Sequence, residues 1–329
     1  MNGKPIICFG QQPCGFFPKR FLVAKINTAR ALQKKIGGKI VFFYHDSDAD
    51  YRETITIFHD SLTGQEVRLN FTQENKVQKK FSPLYLKRIP VGWKQEILKQ
   101  LPRLVDVGNK KTAQLRAASG SRLVTDKPGL TLIKSISKNQ DLSSSFSSGG
   151  PDGNRTRETL VSSQVTSPDQ AHLGELYHNP GEIFTSVNAR TVGDFCLEMY
   201  QKMGLLNGVE VVRSSDKSFR EQATDIKEGF ADIEYQGEIV RAKIEGDGFS
   251  LHEGGGVYTK LPKPGKISKS QISPAKDERF GWMNSVIHCT YYIYGEGEKE
   301  YLKTADFPEV KFIDREKIDE PNFAWLGNT

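Results

Sequence analysis

Residues 4–44 constrain the fold most, because they have the pattern of a complete strand, helix and second strand. An apolar run at 5–9 ends in a glycine-bearing turn at 10–15, and apolar residues then recur at helical spacing from Phe21 to Ile36. Gly37 and Gly38 end the helix, and the β-rich run at 39–44 follows. Such a unit needs a buried parallel sheet, so we predict an α/β fold with a mostly parallel sheet.

A change of composition divides the chain. Residues 135–167 consist mainly of Ser, Gly, Asn, Asp and Thr with almost no apolar periodicity, so burial cannot offset the entropy lost on ordering them. We predict a flexible loop or linker there, with an ordered binding loop as the alternative. Residues 1–134 are then the first part of the core, with an inserted hairpin (54–58 and 66–71) and helices (93–105 and 110–118), and residues 168–329 are the remainder.

Downstream of that segment, strands and helices alternate again. Thr191 is the predicted N-cap of a helix that Gly204 ends, and a second buried parallel strand is predicted at 209–212. Residues 230–251 alternate as two or three antiparallel strands, which predicts an antiparallel β insertion. The last unit is predicted as a strand at 287–293, a loop and helix from Gly295, and a strand at 310–313.

Apolar runs, cysteine spacing and net charge exclude several classes of protein. No apolar run approaches the roughly 20 residues that span a bilayer, and the sequence begins without the apolar region of a signal peptide. We expect a cytoplasmic protein that acts on a small molecule and has no membrane partner. The four cysteines lack C-x-x-C spacing, so we predict no metal site. The net charge of +6 comes from basic residues interleaved with 40 acidic ones, so nucleic-acid binding is not indicated, and the oligomeric state stays open.

Three loops follow the predicted parallel strands at their carboxyl ends: Gly10 to Gly15, His45 to Glu53, and Gly295 to Glu298. In open α/β sheets, ligands bind in the crevice outside these strand ends. We therefore predict one composite site built from all three loops.

The glycine turn is the predicted ligand cradle, because a helix start presents unpaired N–H groups and glycine allows close approach. We expect Gly10, Gln11, Gln12 and Gly15 to hold a nucleotide or phosphorylated ligand, while Lys25 adds positive charge. ATP or ADP is the expected cofactor, and participation of a divalent cation stays open.

The second loop contributes carboxylates. Asp48 and Asp50 are predicted to hold an amine or to act as a general base. The structural alternative is a solvated acidic turn that caps the next element. The D-x-D-x-D spacing lacks the glycine and the glutamate of a calcium loop, so we reject an EF-hand.

A lysine-bearing loop at 266–270 is similar to the KMSKS loop of class I aminoacyl-tRNA synthetases and related nucleotidylyltransferases. In those enzymes, two lysines neutralise phosphate charge as an adenylate forms. Lys266 and Lys269 are therefore candidate phosphate-binding residues, with a solvated basic loop as the alternative. The companion histidine pair of those enzymes is replaced by Gln11, Gln12 and Pro13.

Together, the motifs resemble those of the bacillithiol biosynthesis cysteine-adding enzyme family. The family turn G-Q-Q-x-G-L-x-x-G-P-L-Y-x-x-x-K matches Gly10-Gln11-Gln12 and Lys25 in total spacing, and E-D-H-D-F-x-E aligns with residues 47–53. Later, S-P-x-x-x-x-R matches Ser273-Pro274 and Arg279, and Y-V-x-G-P-G-E-x-x-Y matches 292–301. The order of these motifs along the chain also agrees.

The resemblance implies a nucleotidylyltransferase-like Rossmann core, and an enzyme that joins cysteine to glucosaminyl-malate through an amide. It implies catalytic roles for Asp48, Asp50 and Glu298. It further implies substrate or nucleotide binding by residues of the late motifs: Arg279, Gly295 and Gly297.

We therefore predict a divergent, shortened relative of this family, without its long coiled-coil arm. It would be a small-molecule ligase or transferase that joins an amino acid, cysteine among the candidates, to a sugar- or carboxylate-bearing acceptor. Two alternatives stay open. One is an adenylate-forming nucleotidylyltransferase that uses Lys266 and Lys269. The other is a non-catalytic ligand-binding homologue, which is favoured by Ala49 where the family has histidine.

Overall fold

A five-stranded parallel sheet lies at the centre of the structure, a computed structural model that describes residues 4–105, 179–262 and 265–327. These residues belong to one compact unit of the chain. The second unit, Lys110–Glu175, lies outside the described residues, and so do the predicted helix at 110–118 and the predicted linker at 135–167.

The elements before the gap and the first ones after it are, in chain order, β1 (Ile6–Gln11), α1 (Arg20–Ile36), β2 (Lys39–Tyr44), β3 (Thr56–His59), β4 (Glu66–Leu69), α2 (Lys76–Phe81), α3 (Trp93–Val105), α4 (Pro180–Ser186), α5 (Val192–Lys202), β5 (Val209–Arg213) and α6 (Lys217–Gln222). The remaining ones are β6 (Gly229–Tyr235), β7 (Glu238–Glu245), β8 (Gly248–Gly254), β9 (Val257–Pro262), β10 (Ile272–Pro274), α7 (Arg279–Ile287), β11 (Tyr291–Tyr294), α8 (Glu296–Lys299) and β12 (Lys311–Asp314).

The parallel sheet has the spatial order β12-β11-β1-β2-β5. The predicted first unit is confirmed: β1 pairs in parallel with β2, with Cys8 opposite Val41, and α1 connects them. α1 ends at Gly37, whose φ of 72° lies in the left-handed region that favours glycine. The parallel strand predicted at 209–212 is also present, as β5 at the edge beside β2.

Helices cover both faces of this sheet. Alternate residues of a strand point to opposite faces, so Ile7 and Phe9 of β1 join one core cluster while Cys8 joins the other. The first cluster also contains buried side chains of α1 and α5, and the second contains side chains of α6 and α7. Burial on both faces is typical of a parallel sheet in an α/β protein.

Two antiparallel sheets complete the described structure. The five-stranded sheet β10-β6-β7-β8-β9 confirms the predicted antiparallel insertion, and β3 with β4 forms the predicted hairpin. Among the described helices, none combines the length and the apolar character needed to cross a membrane.

One predicted boundary is wrong. A strand was expected to begin at Ile287, but Ile287 is the last residue of α7, and β11 begins at Tyr291. His288 ends the helix in the left-handed conformation, with φ at 51°. Met283 and Ile287 pack with Cys8 of β1 in one cluster, so the apolar residues here form the buried face of a helix. A short apolar run does not by itself distinguish such a face from a buried strand.

Candidate functional site

A cavity of about 760 Å³ lies at the carboxyl ends of β1, β2 and β11, and we call it the strand-end cavity. From β1 the chain crosses to β2 on one side, whereas β11 lies on the other side of β1. β1 and β11 therefore flank the point where the strand order reverses, which is where open α/β sheets bind ligands.

Most of the candidate residues from the sequence meet in this cavity. Those among its lining residues are Gly10, Gln11, Gln12, Lys25, Asp48, Asp50, Arg279, Gly295, Gly297 and Glu298. The residues that do not line it are Gly15, Lys266 and Lys269. Motifs far apart in the chain thus converge because parallel strands present their carboxyl ends at one edge.

Lys25 and Glu298 form an ion pair at the floor of the cavity, with side chains 2% and 14% exposed. Lys25 also donates to the carbonyl of Gly10 at 2.8 Å and to Oε1 of Gln11 at 3.3 Å. Glu298 accepts further hydrogen bonds from the Tyr292 hydroxyl at 2.9 Å and the Gly295 amide at 2.8 Å. The positive charge predicted at Lys25 is therefore neutralised by a carboxylate of the chain itself.

Among the carboxylates that line the cavity, Asp48 accepts hydrogen bonds from the largest number of residues. Its Oδ2 accepts from Gln12 and, at 2.8 Å, from Nη2 of Arg279, and its Oδ1 accepts from the Ala49 amide at 2.7 Å. Burial favours the neutral acid, but the charges of Arg279 and Arg241 outweigh it and hold the pKa of Asp48 well below its usual range. Asp48 therefore stays ionised and is a weak general base.

Asp50 is more accessible, with 31% of its side chain exposed. Burial raises its pKa, but hydrogen bonds from Arg52, at 2.7 Å from Nη2, outweigh this and lower it. Beneath the same loop, Lys87 is 1% exposed and donates to the Ala49 carbonyl at 2.9 Å. Burial lowers the pKa of Lys87 to about 8. The buried Lys87 thus holds the loop that carries Asp48 and Asp50, and Asp50 faces the cavity.

His45 lies directly after β2 and lines the cavity, although only 8% of the residue is exposed. Its ring packs edge-on against Phe43, with centroids 4.6 Å apart, and no described residue hydrogen-bonds to its ring nitrogens. Burial, and secondarily the charge of Arg279, hold the pKa of His45 well below its usual value. The imidazole is therefore neutral at pH 7 and open to a ligand.

Arg241 and Phe230 reach the cavity from the antiparallel sheet, and the sequence analysis missed both. The Arg241 guanidinium lies 3.6 Å from the centroid of the Phe230 ring and 3.9 Å from Oδ1 of Asp48. Burial lowers the pKa of Arg241 to about 10, so it remains charged at pH 7. His45 belongs to the predicted loop that also contains Asp48, so the sequence could have indicated it. Arg241 belongs to no motif near Asp48, and only strand pairing brings it to the cavity.

The first amides of α1 are paired within the chain. The amides of Arg20 and Phe21 donate to the carbonyls of Phe323 and Pro321, at 2.9 and 3.0 Å. Gly15 is buried, and a Cβ on it would lie 2.8 Å from the Phe17 carbonyl and from Thr56. The amides of Arg20 and Phe21 are therefore not available to a phosphate group, and Gly15 lies outside the cavity lining.

Lys266 and Lys269 are exposed and lie outside the cavity lining. Lys269 forms an ion pair with Asp225 at 2.9 Å, and a capping box from Ser268 fixes the adjacent turn. Within the described ranges, no three His, Cys, Asp or Glu side chains are grouped so as to hold a metal ion.

No family model matches the sequence, and no curated protein matches it.

Proposed function

We propose that this chain is a small-molecule ligase or transferase of the cysteine-adding type. It would join an amino acid, cysteine among the candidates, through an amide to an acceptor that carries a sugar or a carboxylate. The observation that carries the proposal is the convergence of the three strand-end loops on one cavity. The ten candidate residues there come from every motif on which the family resemblance rests.

The sheet topology supports a Rossmann-like core for this enzyme. Numbered by chain order within the sheet alone, its strands stand in the order 5-4-1-2-3. Read from the other edge, the order is 3-2-1-4-5, which corresponds to five of the six strands of the dinucleotide-binding arrangement, whose ligand crevice lies beside the first strand. The strand-end cavity lies at that crevice.

The cavity side chains are suited to hold an amine beside a carboxyl group. Asp50 and Glu53 face the cavity and would bind the ammonium form of the acceptor amine. Asp48, held ionised by its arginines, would orient Gln12 and Arg279. ATP or ADP remains the nucleotide to test. The first amides of α1 are paired within the chain, so they are not available to its phosphate groups.

The test is a product assay with the full chain, ATP, cysteine and a panel of amino sugars and sugar acids, followed by mass spectrometry. We expect an amide product, and a loss of turnover of about 100-fold or more in Asp50→Asn, as for a group that acts on the reacting amine. The matched control is Asp247→Asn, because Asp247 is exposed and outside the cavity. Unchanged turnover in both Asp48→Asn and Asp50→Asn would exclude these carboxylates from the reaction.

A further inference from the structure

In one corner of the strand-end cavity, two guanidinium groups with little exposure are paired with a single carboxylate, although the whole lining has six carboxylates and five cationic side chains. The side chains of Arg241 and Arg279 are 8% and 14% exposed. Among the described residues, Asp48 is the sole carboxylate in ion-pair contact with either of them. Asp232, the cross-strand neighbour of Arg241, is paired instead with Arg220 at 2.6 Å. Two guanidinium groups with little exposure therefore share one carboxylate.

A buried charge without a full counter-charge is costly, so the excess indicates a missing anion. Lys25 cannot be the source of this excess, since Glu298 neutralises it. We infer that the strand-end cavity binds an oxyanion group of its substrate, a carboxylate or a phosphate, between Arg241, Arg279 and His45. The inference rests on the proposed function, because it names which part of the substrate this corner of the same cavity holds.

Arg241 is held in position for such a ligand. Its Nε donates to the Ser273 hydroxyl at 3.2 Å and its Nη2 to the Pro274 carbonyl at 2.9 Å, while its plane lies over Phe230. These contacts leave Nη1, which faces Asp48 at 3.9 Å. A guanidinium fixed in this way loses little conformational entropy when it binds an oxyanion.

Arg279 has free donors toward the same space. Only its Nη2 makes a hydrogen bond to a described residue, the 2.8 Å bond to Asp48. Arginine presents five N–H donors in a planar fork that matches the two oxygens of a carboxylate or phosphate. The remaining donors of Arg279 are therefore available to an oxyanion.

His45 is an independent indication of a ligand. It is buried, lines the cavity and has no hydrogen-bond partner among the described residues. The ring nitrogens of His45 are accessible from the cavity and unpaired within the described ranges, so they are available to a ligand that enters it. A neutral imidazole carries one N–H, which donates to an oxyanion.

The inference is tested by titrating the full chain with inorganic phosphate and, separately, with sodium acetate, at constant ionic strength. Binding is measured by calorimetry and by the NMR signals of the His45 ring. We expect at least one anion to bind and to shift the His45 signals, and the tighter of the two identifies the oxyanion class. Binding of neither anion, or binding that leaves the His45 signals unchanged, overturns the inference.

Variants assign the subsite. We expect Arg279→Gln to weaken anion binding about tenfold, as loss of a charge-assisted contact does. Lys99→Gln removes the same charge at an exposed position outside the cavity, and its affinity should stay within about twofold of the wild type, since exposed charges act weakly. If Arg279→Gln does not fold, Arg241→Lys serves as the second variant, with the same expected loss. Equal affinity of the cavity variants and Lys99→Gln overturns the subsite.

The outcome separates the subsite from the proposed function. If turnover is lost in Asp50→Asn but anion affinity is unchanged in Arg279→Gln and Arg241→Lys, the proposed function is retained and the subsite is rejected. Anion binding that depends on the arginines, with no amide product from any acceptor, would retain the subsite and reject the function.

Discussion

Lys25 and Glu298 form a buried ion pair although 273 positions separate them in the sequence. Lys25 lies on α1 and Glu298 on α8, so the pair connects the helix after β1 with the short helix after β11. Each partner also bonds to a residue of the preceding strand, Lys25 to the Gly10 carbonyl of β1 and Glu298 to the Tyr292 hydroxyl of β11. The pair therefore fixes the two sides of the strand-end cavity relative to each other.

Removing one partner of this pair should destabilise the protein strongly. We expect Lys25→Met to cost about 3 kcal/mol in the free energy of unfolding, because it leaves Glu298, whose side chain is 14% exposed, without its cation. The double variant Lys25→Met with Glu298→Leu should recover much of the loss. Urea denaturation measures both. The exposed pair of Lys39 and Glu210 is the control, and Lys39→Met should cost at most about 1 kcal/mol. Additive losses in the double variant would contradict a coupled pair.

A side chain added at position 10 should crowd the residues that line the cavity. A Cβ on Gly10 would lie 2.8 Å from Nε2 of His45 and 2.9 Å from the Tyr292 hydroxyl, so Gly10→Ala must displace one of them. We expect a destabilisation of about 1–3 kcal/mol, typical of overpacking, and a loss of ligand affinity. Thermal unfolding and titration with inorganic phosphate measure the two effects.

The matched control lines the same cavity. A Cβ on Gly297 meets no atom within 4 Å, and its helical position tolerates alanine. Gly297→Ala should therefore leave stability unchanged or raise it by up to about 1 kcal/mol. Equal effects at the two glycines would show that crowding of His45 is not the cause.

Burial of His45 makes stability depend on pH. Its folded pKa is lowered chiefly by burial and by Arg279, with Lys25 and Arg241 acting in the same direction and Asp48 against them. Below the ordinary histidine pKa of about 6.5, the unfolded chain binds the proton more readily than the folded chain, so stability falls as the pH falls.

The His45→Asn variant should lose less stability than the wild type between about pH 6.5 and pH 5, because it removes the titrating ring. The free energy of unfolding in urea, measured across this range, checks the difference. Asp48 does not interfere, since its lowered pKa places its protonation at more acidic pH. His252→Asn, at an exposed position, is the control. Parallel pH curves for the wild type and His45→Asn would refute the prediction.

Tyr200 stabilises the glycine turn from within the core. Its hydroxyl accepts a hydrogen bond from the Cys14 amide at 3.0 Å and donates one to the Gly15 carbonyl at 2.8 Å. Tyr200→Phe leaves both buried groups unpaired, and we expect a loss of about 2 kcal/mol in stability. Chemical denaturation measures it, with Tyr258→Phe as the control because Tyr258 is 51% exposed. A loss shared by the control would assign the effect to something other than the turn.

Local patterns predicted the elements that depend on nearby residues. The first strand–helix–strand unit, the hairpin of β3 and β4, and the helix capped by Thr191 each carry their own periodicity and end signals. The convergence of Gly10, Asp48 and Glu298 also followed from sequence, because carboxyl ends of neighbouring parallel strands share one edge.

Long-range contacts explain what the sequence could not predict. Arg241 reaches Asp48 only because β6 and β7 pair beside the parallel sheet, and no spacing along the chain encodes that approach. The α1 amides appeared free from sequence, but residues far downstream occupy them. Both contacts join positions separated by most of the chain, so only tertiary packing reveals them.

The segment at 321–325 contacts both the start of α1 and the cavity, which matters for the design of shortened variants. Its carbonyls accept the first amides of α1, its Ala324 amide donates to Ile57 of the hairpin, and Pro321 and Asn322 form one wall of the cavity. Trimming the chain after β12, a common step in designing crystallisation or expression variants, would therefore expose the start of α1 and open that wall. A shortened variant would then be a poor substitute for the full chain in any search for its substrate.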